Sequence, residues 1–256
     1  MMRATDLAAL AALATILWGG ILAIVIGKYP YPHVFNHDVD SPVIALEISR
    51  GVDDINAVLH RKDFAKSGPA EKNMALANDL DLVFIPLYAI SIWSLARVFT
   101  SRTRLLALGV AAAALFDYLE DWQIYRALDG ASPPIYIVSL IKWGFLGLVL
   151  IGLGCILVRS RVEIYTLSTK RLMAIGFFVS GGLILIDVAL GKWIGYSHIA
   201  LGSGIFALLL IANVVGFLGP YLRIRGREAK FVDNFCEERK KPGRGLMTAV
   251  RAEPTK

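Results

Sequence analysis

The chain has 256 residues, 56% hydrophobic and 19% charged, against about 45–50% and about 25% in ordinary soluble domains. Its formal net charge of +6 comes from basic residues in short loops and a C-terminal tail. That bias orients membrane helices and is not a phosphate-binding stripe, so nucleic acid is not an expected partner. Two cysteines, Cys155 and Cys236, are too few for a disulfide framework and lack metal-site spacing.

Apolar runs of about 20 residues recur, each long enough to cross a hydrocarbon core of about 30 Å. In lipid such runs must be helices, because no solvent partners a free N–H or C=O. The fold class read from this pattern is an all-α integral membrane bundle. It has six spans, at residues 7–27, 80–99, 105–122, 135–158, 172–190 and 199–222. Together they form a transmembrane domain over residues 1–222, followed by a basic tail over 223–256.

The first run, 7–27, is longer than the roughly 7–15 residues of a cleaved signal's apolar core. It reads as an uncleaved span. The long loop 28–78 follows. Tyr29-Pro30-Tyr31-Pro32 favours an extended lead-in. Ile44, Ile48, Val52, Ile55 and Leu59 then recur at helical spacing, with Arg50, Asp53, Asp54 and Arg61 on the other face. This predicts an amphipathic helix, lying at the interface or forming a lid between the spans. Ser67-Gly68-Pro69 marks a helix start, from which a helix runs unbroken into span two.

Between spans two and three lie Arg102 and Arg104. Between four and five lie Arg159, Arg161, Lys170 and Arg171. After span six come Arg223, Arg225, Arg227 and Lys230. The opposite short loops hold only Arg126 and Lys192. This asymmetry places both termini in the cytoplasm and the first loop outside. The tail, with Pro242, Gly243 and Gly245, is expected to be mobile.

With that orientation, nine ionisable groups from five spans share the outer leaflet: Asp79, Asp81, Asp117, Glu120, Asp121, Lys142, Asp187, Lys192 and His198. Charges at membrane depth cost about 2.5–3.5 kcal/mol each on insertion scales and persist when they face the bundle interior and find partners. Asp117, Glu120 and Asp121 stand at i, i+3 and i+4, hence on one helix face. Three carboxylates that close retain a proton or share a cation. Lys142 is the predicted counter-charge. Asp81 and Tyr88 share a face of span two, where Pro86 frees a backbone carbonyl.

Span five carries Gly176, Ser180, Asp187 and Gly191 along one stripe. Span six carries His198, Gly202, Asn213, Gly216 and Pro220. Both stripes are suited to close helix packing in lipid. The blander reading makes Asp79, Asp121 and Lys192 solvated interfacial residues, lets Lys142 snorkel outward, and makes His198 a capping or interfacial histidine. The candidate ligand-binding set is therefore Asp81, Tyr88, Asp117, Glu120, Asp121, Lys142, Asp187 and His198.

Residues 79–88, D-L-D-L-V-F-I-P-L-Y, and 116–125, F-D-Y-L-E-D-W-Q-I-Y, resemble a group of uncharacterised bacterial multi-pass proteins. Those show an acid–Phe–Tyr pattern opening one helix and Asp-x-x-Glu closing the next. The likeness covers spans one to three; it implies a location in a bacterial inner (plasma) membrane and no activity. Residues 81–88 are also similar to a helix of the sterol isomerase and sigma-2 receptor family, which implies membrane acids that hold cationic, sterol-like ligands.

Three functions fit. In the first, an acidic outer-leaflet cavity binds or transports a cationic or lipid-like small molecule. In the second, the chain is an accessory subunit of a respiratory or photosynthetic assembly, with buried pairs locking helix register. In the third, a membrane enzyme uses paired carboxylates as acid and base or as ligands for a hard metal. No H-E-x-x-H, G-x-S-x-G or P-loop pattern is present. His33, His37 and His60 fall in the first loop, so the histidine spacing provides neither a zinc site nor b-type haem ligands. The expected partners are membrane lipid and, in the second reading, other membrane subunits. No metal or named cofactor is indicated.

Overall fold

The computed structural model describes residues 4–26, 42–47, 49–59, 64–160 and 167–190. Among these residues every regular element is helical and there is no strand. In chain order they are α1 (Ala4–Ile26), α2 (Pro42–Glu47), α3 (Val52–Val58), α4 (Phe64–Phe99), α5 (Arg104–Leu128), α6 (Ile135–Arg159) and α7 (Leu167–Leu190). The sixth predicted span, His198 and the tail lie outside the described residues.

Among the described residues, four helical stretches are long and apolar enough to cross a membrane: Thr5–Ile26, Gly68–Phe99, Ile135–Arg159 and Lys170–Ala189. They fall within the first, second, fourth and fifth predicted spans or extend them. α5, read as the third span, has 25 residues, about 38 Å at 1.5 Å per residue. Its length suffices, but Asp117, Glu120 and Asp121 remove it from the strictly apolar class.

Packing runs sequentially, α1 on α4, α4 on α5, α5 on α6 and α6 on α7. The short connections at 100–103 and 129–134 make antiparallel neighbours. The turn after α5 is a Schellman cap, in which Ala131 N–H donates to Arg126 O and Gly130 N–H to Ala127 O. Gly130 takes φ 91° there, a left-handed conformation that costs glycine little. Between α6 and α7 the backbones nearly touch: a Cβ on Gly181 would stand 2.6 Å from the Gly147 carbonyl oxygen. Ser180 and Asp187 of the predicted stripe are buried.

α4 runs unbroken over 36 residues and begins at Phe64, with Pro69 inside it rather than at its start. Pro86 has no N–H for the carbonyl of Leu82 four residues earlier. The hydroxyl of Tyr118, on α5, donates to that carbonyl at 3.3 Å. The freed backbone group thus becomes a helix–helix contact.

The loop helix differs from the sequence expectation. Two short helices replace one, because the chain is extended at Gly51, φ −162° and ψ 177°. The Asp54 carboxylate holds the break by accepting the Arg50 N–H at 2.9 Å. Val52, expected on the buried stripe, is 46% exposed. Leu46, Ile55, Val58 and Leu59 are fully buried and form an apolar cluster with Met74 of α4, Ile124 and Ala127 of α5 and Ile135 of α6. α2 and α3 are thereby seated on one end of three longer helices.

Candidate ligand cavity

The spacing on α5 has the predicted consequence. Asp117, Glu120 and Asp121 are all buried on one side of the helix. Opposite them α6 presents Lys142, only 5% exposed. Its ammonium forms ion pairs with Glu120, with Asp117 Oδ1 at 3.1 Å and with Glu47 Oε1 at 3.1 Å. Ser139, one turn before Lys142, donates its hydroxyl to the other oxygen of Glu120. From α4, Tyr88 donates to Asp117 Oδ2 at 2.8 Å. The three carboxylates on Lys142 therefore belong to two elements, and Tyr88 ties in a third.

Glu47, the last residue of α2, is absent from the sequence-derived set. Its second oxygen accepts the indole N–H of Trp143 at 2.8 Å. The same ring lies 4.8 Å from the Lys142 Nζ, a cation–π arrangement. The one sequence feature that points toward Glu47 is the lid reading of its loop. Ser139 and Trp143 gave no signal beyond their proximity to Lys142.

These groups border a cavity of about 560 Å³, within the range typical of small-molecule sites. Glu47, Asp81, Asp117, Glu120, Asp121 and Lys142 all line it, with Tyr88. The wall from α1 is uncharged: Thr15, Ile16, Gly19, Gly20, Leu22 and Ile26. Thr15 uses its hydroxyl proton within its own helix, on Ala11 O at 2.8 Å. Five carboxylates thus face one ammonium, a formal excess of four negative charges if all are ionised.

Asp121 is 2% exposed, and its Oδ2 has no hydrogen-bond partner. Its backbone carbonyl accepts the Asn78 amide at 3.1 Å, which fixes the helix but leaves the carboxylate unserved. Asp81 is half-buried. Asp79 is exposed and accepts from the Tyr125 hydroxyl, as an interfacial residue would. Asp187 is buried on α7 but does not line the cavity. His198 lies outside the described residues. Of the eight candidates, six border one cavity: Asp81, Tyr88, Asp117, Glu120, Asp121 and Lys142.

No group of three or more His, Cys, Asp or Glu side chains among the described residues is placed to hold a metal ion. No protein-family model matches the chain, and no curated protein or solved structure matches it.

Proposed function

We propose that the chain is a six-span bacterial inner-membrane protein, both termini cytoplasmic, that binds or transports a cationic, lipid-like small molecule in an acidic cavity of the outer leaflet. Asp81, Tyr88, Asp117, Glu120, Asp121 and Lys142 form the ligand site. α2 covers it from the first loop, through Val43, Ile44 and Glu47.

The observation that carries this reading is the charge imbalance around a cavity with one uncharged wall. An uncompensated ion away from water costs several kcal/mol even after relaxation. A bound cation offsets part of that cost, and an apolar body attached to it finds the α1 wall. The basic loops at Arg102–Arg104 and Arg159–Arg171 support the orientation, and with it the assignment to the outer leaflet.

The test uses full-length protein in lipid nanodiscs, with thermal unfolding followed as ligand is added. Dodecylamine is expected to raise the midpoint, since a ligand that binds only the folded state stabilises it by mass action. Dodecanoate, with an anionic head, is expected to leave it unchanged. An Asp117→Asn, Glu120→Gln double variant that keeps the full amine response would refute the site.

The accessory-subunit reading has one observation in its favour: Lys142 joins α2, α5 and α6, as a purely structural lock would. Stoichiometric membrane partners copurifying with the native protein, together with no response to amine, would select it instead.

A further inference from the structure

Contact with the Lys142 ammonium divides the five cavity carboxylates into two groups: Glu47, Asp117 and Glu120 pair with it, and no such pair holds Asp81 or Asp121. Glu120 has both oxygens engaged, by Ser139 and by Lys142. Glu47 has both engaged, by Lys142 and by Trp143. Asp117 receives the Tyr88 hydroxyl on one oxygen and the Lys142 ammonium in ion contact on the other. An ammonium has three protons to give, and Lys142 faces three carboxylates. Neither Asp117 Oδ1 nor Asp121 Oδ2 accepts a hydrogen bond, but the Lys142 ammonium stands 3.1 Å from the Asp117 oxygen, so that half of the site is compensated by charge. Asp121 keeps an unpartnered oxygen at 2% exposure, and Asp81 lines the same cavity.

Resting on the function proposed above, we propose that the ligand is a protonated amine with an apolar tail. Its N–H groups are taken by Asp121 and Asp81, and Lys142 is an internal cation that does not touch it. Carboxylate acceptors select for a head that can donate, because a hydrogen bond to an ionised acceptor is roughly twice as strong as a neutral one. A quaternary ammonium has no proton to give and is bound instead by open aromatic faces. The three rings that line the cavity are already engaged: Trp143 has the Lys142 ammonium beside it at 4.8 Å, and Tyr88 and Phe84 pack on one another with centroids 5.6 Å apart. A hard metal ion would need more oxygen ligands than two carboxylates supply, and the lining on α1 offers it no charge. The α1 wall instead accepts a hydrocarbon chain. Gly20 on that wall has nothing within 4 Å of where a Cβ would stand, so it leaves room along the helix.

The experiment compares ligands of one tail length on full-length protein in nanodiscs, which needs no variant for its first arm. Dodecylamine is expected to bind about ten- to a hundredfold more tightly than dodecyltrimethylammonium, the loss expected for charge-assisted hydrogen bonds. Asp121→Asn and Asp81→Asn, both near-isosteric, are each expected to weaken dodecylamine by about tenfold or more while narrowing its advantage over the quaternary analogue. Equal affinity for the two heads overturns the inference and leaves the cationic-ligand reading standing. So does full retention of amine affinity in both variants. If neither amphiphile binds, or dodecanoate binds as well as the amine, both readings fall together. Stabilisation by calcium or magnesium chloride that competes with dodecylamine overturns the inference in favour of a metal site.

Discussion

Lys142→Met removes the one cation from a cluster of three buried carboxylates while keeping side-chain volume. Its ammonium belongs to a residue 5% exposed, and its partners Glu47, Asp117 and Glu120 are 5%, 6% and 1% exposed. Had the lysine snorkelled to water, each pair would be worth about 0–1 kcal/mol. Enclosed as it is, losing one partner of a buried pair costs about 3–5 kcal/mol, mostly from the charges left behind. For a chain of this size that corresponds to a fall of roughly 6–20 °C in unfolding midpoint. The assay is thermal unfolding of purified protein in nanodiscs, with tryptophan fluorescence as the signal because Trp143 sits against the cluster. A second variant separates charge from packing. Adding Glu120→Gln to Lys142→Met removes the most buried of the stranded acids and is expected to recover at least half of the loss. If Lys142→Met alone stays within about 1 kcal/mol of the parent, the ammonium is solvated and the cluster is not enclosed. If the double variant is worse than the single one, Lys142 acts through its shape and not its charge.

Two further substitutions test how the helices that frame the cavity are held. Gly181→Ala is expected to cost about 1–3 kcal/mol through overpacking, since the new methyl would meet the Gly147 carbonyl 2.6 Å away and backbone cannot step aside as a side-chain end can. Gly182→Ala is the matched control: nothing lies within 4 Å of its Cβ position, so unfolding in nanodiscs should be unchanged or slightly later, and equal losses at both positions would refute the close α6–α7 crossing. Tyr118→Phe should cost about 0.5–1.5 kcal/mol in the parent but almost nothing in a Pro86→Ala background, where Leu82 regains its own helical donor. A double-mutant cycle with no coupling between the two positions would show that the Tyr118 hydroxyl does not serve the carbonyl freed by Pro86.

Much of the helical layout was legible from hydropathy and punctuation, because a long apolar run in lipid has one satisfactory backbone conformation. α4, α5, α6 and α7 fall on the second to fifth predicted spans. The errors sit where local signals compete. Ser67-Gly68-Pro69 resembles a helix start, yet α4 carries Pro69 inside it; a proline near a helix's N-terminus displaces few hydrogen bonds. Apolar residues at 44, 48, 52, 55 and 59 have the period of one helix. Gly51 and the Asp54–Arg50 contact break that helix in two, because a periodic pattern records which residues prefer burial and not whether the backbone between them is continuous.

The site was half legible, and the division has a physical cause. On α5 the i, i+3, i+4 rule is local geometry, so the shared face of Asp117, Glu120 and Asp121 follows from helix pitch alone. Lys142 as their counter-charge followed from depth. Glu47 could not be found that way: it meets Lys142 across 95 positions, from a six-residue helix whose seat depends on the apolar cluster around Leu46 and Leu59. Its arrival changes the meaning of the residues that were found. With three acids at hand, Lys142 has no reason to reach for water, and the snorkelling alternative loses its driving force. With Ser139, Tyr88 and Trp143 filling the remaining oxygens, Glu120 and Asp117 become the scaffold of the site. Asp121, which charge counting alone leaves as a solvated helix-end residue, becomes the acid with an oxygen to spare. Charge spacing along a helix shows which acids share a face, but which of them remain open to a ligand depends on donors delivered from other elements, and two of those, Ser139 and Trp143, are neutral side chains that no charge pattern singles out.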